Sequence, residues 1–140
     1  VDGDLNQALI HSLITWHDID EIETGDIIGY LKTEADKQRE QEATRQVLTK
    51  APSLLSQHIQ DTLEEYKQQK TAESRFVKAL DKLDPVFYLY NDNGYKLFKL
   101  HKATKEQHCS IKEPYLKDFS YMYRFYKVVT EQLEQEGFFC

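Results

Sequence analysis

The chain has 140 residues, 40% of them apolar, which is enough for one domain whose core folds unaided. Aromatic residues make up 12% against only 5 Gly and 3 Pro, which argues against both a disordered chain and a turn-rich sandwich. Acidic residues outnumber basic ones, 24 to 18, and no Lys/Arg cluster is present to follow a phosphate backbone, so binding nucleic acid through charge is excluded.

The predicted elements are all helical, about five to seven in number. Residues 4–18 form the first, with Asp4 as N-cap, Gln7 three residues on, and Leu5, Leu9, Leu13 and Trp16 on one stripe. His17-Asp18 closes it. From Ile19 to Lys32 the periodicity fails and Gly25 and Gly29 punctuate, so this segment is an irregular loop with at most short helical turns. Thr33 to about Lys50 is a polar, exposed helix with a narrow stripe that includes Ala43, Val47 and Leu48, and Ala51-Pro52-Ser53 ends it. The next helix carries Leu54, Leu55, Ile59, Leu63 and Tyr66. Thr71 to about Asp84 follows, with Phe76, Val77, Leu80 and Leu83 at core spacing, until Pro85 forces a kink or a fresh start with Asp84 as N-cap. Asn91-Asp92-Asn93-Gly94 has the composition of a turn. Tyr95 to about His108 is helical, and Glu113 or Pro114 leads into a last helix holding Phe119, Tyr123, Val128, Val129 and Leu133.

Cys109 and Cys140 give neither a disulfide framework nor a cysteine zinc site, and a reducing, cytoplasmic setting is the simplest fit. No apolar run reaches the ~18 residues of a membrane span. The start, Val-Asp-Gly-Asp, lacks both an initiator Met and the regions of a signal peptide, so the chain reads as part of something longer.

Chemistry concentrates around His17. An adjacent His and Asp alone say little, but Glu21 follows one turn later, then Thr24-Gly25-Asp26, and a second acidic site stands in Lys78-Ala79-Leu80-Asp81. At 100° per residue Asp81 lies about 40° from Val77 on its helix and so borders the apolar face. A carboxylate there needs a partner. Either a Lys or Arg ion pair, or a metal ion shared with His17 and Asp18, would supply one. An imidazole with two carboxylates suits Mn, Co, Fe, Ni, Zn or Mg without choosing among them. Glu21 and Asp26 admit a plainer use as caps of backbone amides in the loop. His58, His101 and His108 show no ligand spacing and are read as surface residues. Tyr121, Tyr123, Phe125 and Tyr126 are read as packing or as a homodimer surface.

The string His-Asp-Ile-Asp-Glu-Ile-Glu-Thr-Gly-Asp-Ile at 17–27 resembles the signature of the HD-domain phosphohydrolase superfamily, in particular its 5′-deoxynucleotidase-like branch. Glu64-Glu65-Tyr66, Thr71-Ala72-Glu73, Phe76-Val77-Lys78 and Asp81-Lys82 resemble that branch's later motif, and the likeness covers roughly residues 1–90. It implies an all-α HD-domain helical bundle, here a single domain over 1–140 that is N-terminally incomplete. It also implies one divalent metal ion held by an early His, by His17 and Asp18, and by Asp81. The early His has no match, because His11, six residues before His17, points about 240° away round the helix. By the same resemblance Glu21 orients or deprotonates a water at the metal, Asp26 assists proton transfer near the phosphate, and Glu73 supports from behind. The implied substrate is a small phosphate ester, a nucleoside 5′-monophosphate. The rival reading is a degenerate HD domain that binds a nucleotide or metal without turnover.

Overall fold

The computed structural model describes residues 4–27 and 32–140, so Gly29 of the expected loop lies outside the described residues. Within them are seven helices of nine or more residues and one single turn, with no strand. The chain divides into two compact units, Asp4–Ser74 and Arg75–Cys140.

In the first unit, α1 (Gln7–Trp16) starts at Asn6, whose side chain accepts from the Leu9 amide; the expected cap, Asp4, lies two residues too early. The α2 turn (Glu21–Thr24) interrupts the segment after His17 and ends at Gly25. That glycine has φ 69° and ψ 164°, a region open to essentially no other residue, while a Cβ there would meet no atom within 4 Å. The glycine is required by the backbone path and not by crowding. α3 (Glu34–Lys50) begins in a capping box, Thr33 with Asp36, which explains why so polar a segment starts sharply. α4 (Ser53–Gln68) buries Ile59, Thr62, Leu63 and Tyr66, whereas Leu54 (89% exposed) and Leu55 lie outside that core. α1 packs on α4, α4 on α3, and α2 on α3, with Leu13 fully buried. The turn out of α4 is fastened by Glu65, which accepts from both the amide and the hydroxyl of Thr71.

α5 (Ala72–Tyr88) continues past Pro85, so no new helix starts there with Asp84 as its cap, the second of the two outcomes expected at that proline. Proline removes one amide and leaves the Asp81 carbonyl without its donor. Burial of Leu83 and Val86 on either side holds the helix together across the gap. In the second unit these two residues join a core with Ala79, Phe98, Leu116, Phe119, Tyr126 and Leu133. The Asn91–Gly94 segment is a helix start and not a free turn: Asn91 caps α6 (Asp92–Leu100) by accepting from the amides of Asn93 and Gly94. A Cβ on Gly94 would stand 1.7 Å from the Leu89 carbonyl oxygen, so only glycine fits. The single helix expected from Tyr95 to His108 is broken in two. Lys102 takes a left-handed φ of 52°, and Thr104 opens α7 (Lys105–Leu116) with a capping box to Gln107. α8 (Ser120–Gln135) packs on α7. Of its aromatic residues Tyr126 is fully buried, whereas Tyr121 is 89% and Phe125 40% exposed.

Candidate active site

His17 is the C-cap of α1, its amide bonded to the Leu13 carbonyl. Its Nδ1 lies 2.9 Å from the Ile14 carbonyl oxygen, and its Nε2 lies 2.9 Å from Asp18 Oδ2. A carbonyl can only accept, so Nδ1 carries the proton and Nε2 is the nitrogen turned to Asp18. An imidazole nitrogen and a carboxylate oxygen at that distance share either a proton or a cation between them. Tyr66 of α4 stands against the ring, centroids 5.2 Å apart, and holds its tilt.

This donor set fits a divalent ion. Two ligand atoms each about 2.1 Å from one metal, on adjacent corners of its shell, stand about 3 Å apart. The Nδ1 bond to a backbone carbonyl is the outer contact that orients metal-binding histidines and leaves Nε2 for the ion. Among the described residues no three His, Cys, Asp or Glu side chains gather at one point.

The next turn adds carboxylates. Burial pushes the Glu21 carboxyl up to about 7, and the charges of Asp18, Asp26 and Asp20 push the same way, opposed by Lys32. Asp20 is raised too, by burial first and then by Glu40 and Asp18. Asp26 follows Gly25 and is exposed. Among the described residues neither Glu21 nor Asp26 caps a backbone amide. The Lys32 ammonium, paired with Glu40 of α3, is the cation that faces this acidic group. Sequence reasoning assigned no role to Asp20, Lys32 or Tyr66. Asp20 and Tyr66 lie inside the two motif strings and so carried a signal there, whereas Lys32 carried none.

Asp81 lies on α5, in the second unit, with Lys78 Nζ at 3.2 Å and Lys82 Nζ at 3.0 Å. Burial raises its pKa, but the two ammonium groups outweigh burial and hold it at about 2. The ion pair left open from sequence is thus present, and it keeps the carboxylate anionic. Lys112 of α7 donates to the Lys82 carbonyl at 2.7 Å. Burial pulls its ammonium down to about 8, helped by the charge of Lys82 and opposed by Asp81 and Asp84.

Glu73 accepts from the Asn6 amide at 2.8 Å, at the end of α1 opposite to His17. Its visible work is to pin that helix start. His58 is exposed and bonded to Ser12 Oγ at 2.8 Å, in keeping with a surface role, but His108 is not a surface residue. Its ring stacks on Tyr126 at 5.6 Å, and its Nε2 is buried with no hydrogen-bond partner among the described residues. Two surface hollows, one around Tyr90, Tyr95 and Phe138 and one between α3 and α4, contain none of His17, Asp18, Glu21, Asp26, Glu73 and Asp81. No helix among the described residues is long and apolar enough to cross a membrane.

Known proteins complete the picture. The human 5′-deoxynucleotidase HDDC2 is 33% identical over 87 residues, 61% of this chain and 43% of that protein, so the chain spans less than half the length of that relative. A crystal structure of a predicted metal-dependent phosphohydrolase from Magnetospirillum magnetotacticum MS-1 superposes with a TM-score of 0.83 at 21% identity. It covers 99% of this chain and 71% of its own, and shows that the fold is shared. The family described as HD domain matches residues 2–122, most of the chain. With the His17-Asp18 doublet at the end of α1 and helices throughout the described residues, the chain belongs to the HD-domain family.

Proposed function

We propose that this chain carries the catalytic residues of a metal-dependent phosphohydrolase that cleaves a phosphomonoester, a nucleoside 5′-monophosphate. The observation that carries the reading is His17. Its Nδ1–H is spent on the Ile14 carbonyl, and its Nε2 meets Asp18 at 2.9 Å, a pair ready to chelate. Family membership and the nucleotidase named among the relatives support the substrate class.

In this reading His17 and Asp18 hold one divalent ion, with Asp81 as a further ligand by family resemblance. A bound ion of this kind supplies Lewis acidity, bringing the pKa of water towards ~7 and neutralising phosphoryl charge. Glu21 takes the proton of the attacking water, and Asp26, exposed at the rim after Gly25, assists the passage of that proton near the phosphate towards the leaving oxygen. Lys32 offsets the negative charge that Asp20 and Glu21 gather. Tyr66 and the Ile14 carbonyl keep the His17 ring in place.

The test measures phosphate release from deoxynucleoside 5′-monophosphates with Mn²⁺, Co²⁺ or Mg²⁺ supplied, alongside metal uptake by calorimetry. Asp18→Ala should abolish both, and Glu21→Gln should keep metal uptake while lowering turnover about 10²- to 10⁴-fold. Undiminished phosphate release by Asp18→Ala overturns the proposal. Metal uptake without turnover by the unmutated protein would instead favour an HD domain that senses its ligand.

A further inference from the structure

Three aromatic rings of the second unit gather at one surface hollow. α8 ends in a Schellman turn, in which the Phe138 amide bonds to the Leu133 carbonyl at 2.9 Å and the Gly137 amide to the Glu134 carbonyl at 3.0 Å. The turn sends Phe138 into the core, where two exposed tyrosines meet it. Tyr95 of α6 stands edge-on to Phe138, centroids 5.2 Å apart at 87°, and Tyr90, just past the end of α5, lies at 5.8 Å and 38°. With Asn91, Asp92 and Glu136 these rings line a hollow of about 270 Å³. Sites that enclose a drug-sized molecule run to about 300–1,000 Å³, so this one takes a head group and not a whole nucleotide.

The chemistry of its walls selects a cation. Glu136 Oε1 accepts from the Tyr90 hydroxyl at 2.5 Å and from the Gln132 amide at 2.7 Å, while Oε2 accepts no hydrogen bond among the described residues. The Gln132 amide and the Tyr90 hydroxyl hold this carboxyl below its ordinary pKa, so it stays charged. Asp92, exposed in the first turn of α6, adds a second carboxylate that has no ion pair among the described residues. Side-chain donors on the walls are already spent, Tyr90 on Glu136 and the Asn91 amide on the Tyr88 carbonyl at 2.7 Å. An anion would therefore meet two negative charges and little to bind it, whereas a cation meets both carboxylates and the negative faces of aromatic rings. Tyr95 already receives one cation. The Lys99 ammonium stands 5.4 Å from its centroid, tied there by the Phe139 carbonyl at 2.8 Å, and Lys99 does not line the hollow. A bare ammonium brings three N–H donors for which rings offer no strong acceptor. A quaternary one spreads the same charge over methyl groups that pack on ring faces.

We propose that the hollow formed by Tyr90, Tyr95 and Phe138, with Asp92 and Glu136 at its edge, binds a quaternary ammonium head group. The full chain is titrated by NMR with tetramethylammonium and with choline at constant ionic strength, and with 3,3-dimethylbutan-1-ol, the uncharged carbon analogue of choline. Both cations should bind with a Kd of about 1–10 mM and shift the amides of residues 90–95 and 136–138. The alcohol should bind about tenfold more weakly or less, because it keeps the shape and loses the charge. Tyr95→Leu and Glu136→Gln should each weaken cation binding about threefold to tenfold. Both positions are exposed, an unchanged melting temperature shows that each variant is folded, and the comparison with the alcohol needs no variant. A short peptide carrying one trimethyl-lysine is titrated beside choline, and the tighter of the two identifies the source of the head group. The proposal is overturned by an alcohol that binds as tightly as choline, by shifts centred outside the hollow, by no saturation up to about 100 mM cation, or by binding that neither variant weakens.

Discussion

Replacing His108 with Phe should make the protein's stability less sensitive to acid, by an amount that follows from the residue's surroundings. Burial pushes the His108 imidazole down to about 3, with the Lys112 charge adding to the effect, so the folded protein keeps the ring neutral at any ordinary pH. In the unfolded chain the ring titrates near 6.5. Below that pH the unfolded state binds the extra proton and stability falls. Between pH 7.5 and pH 5 the loss integrates to about 2 kcal/mol. Phenylalanine keeps a flat ring against Tyr126 and removes a buried nitrogen that has no hydrogen-bond partner among the described residues. His108→Phe should therefore match or exceed the original at pH 7.5 and lead by about 2 kcal/mol more at pH 5, roughly 5–10 °C in melting temperature. Urea unfolding of both proteins across this range is the assay. The comparison must be a difference, because Glu21, raised to about 7, stabilises the fold as pH falls through 7 and opposes His108 in both proteins. Parallel pH profiles for the two proteins would refute the argument.

Other predictions follow from single features. Gly25→Ala forces an L-residue to φ 69° in open space, so it should cost about 1–3 kcal/mol through backbone strain alone, read by denaturation. Gly94→Ala drives a Cβ into the Leu89 carbonyl oxygen and should destabilise more than Gly25→Ala; a smaller effect would show that α6 can slide away from that carbonyl. Thr33→Ala removes one half of the capping box and should lower stability by about 1 kcal/mol, with fraying of the first turn of α3 visible in amide exchange. In chelator, Glu21→Gln should gain stability over the original protein as pH rises from 5 to 8, because the carboxyl it replaces must then ionise among Asp18, Asp20 and Asp26. A constant difference across that range would contradict the acidic cluster.

Local signals carried much of this fold in the sequence. Thr33 with Asp36, Pro52 before Ser53, and the end of periodicity at His17 each mark a terminus by its own chemistry, and the helices start or stop within a few residues of them. The failures have equally specific causes. Pro85 reads as a break because proline lacks an amide, but the buried neighbours Leu83 and Val86 outweigh one lost bond. Asn91–Gly94 has turn composition because caps and turns use the same residues. The break after Leu100 left no trace, since the left-handed position is filled by Lys102 where glycine is the usual sign. At the candidate site the His17-Asp18 pair and Glu21 were legible from spacing. The two lysines on Asp81 were visible only as one of two alternatives, and the buried setting of His108 depends on tertiary packing that no local pattern encodes.

The bond from Glu73 to the Asn6 amide joins positions 67 residues apart. Closing a loop of that length costs roughly 4 kcal/mol of chain entropy before any contact repays it. α1 also has its packing partner in α4, which likewise follows it in the sequence. The segment ending in His17 thus leaves the ribosome before α4 and Glu73 and waits for these supports. Until residue 73 has emerged, α1 has neither a fixed start nor a finished floor, so the His17-Asp18 pair should be among the last features of its unit to become ordered during synthesis.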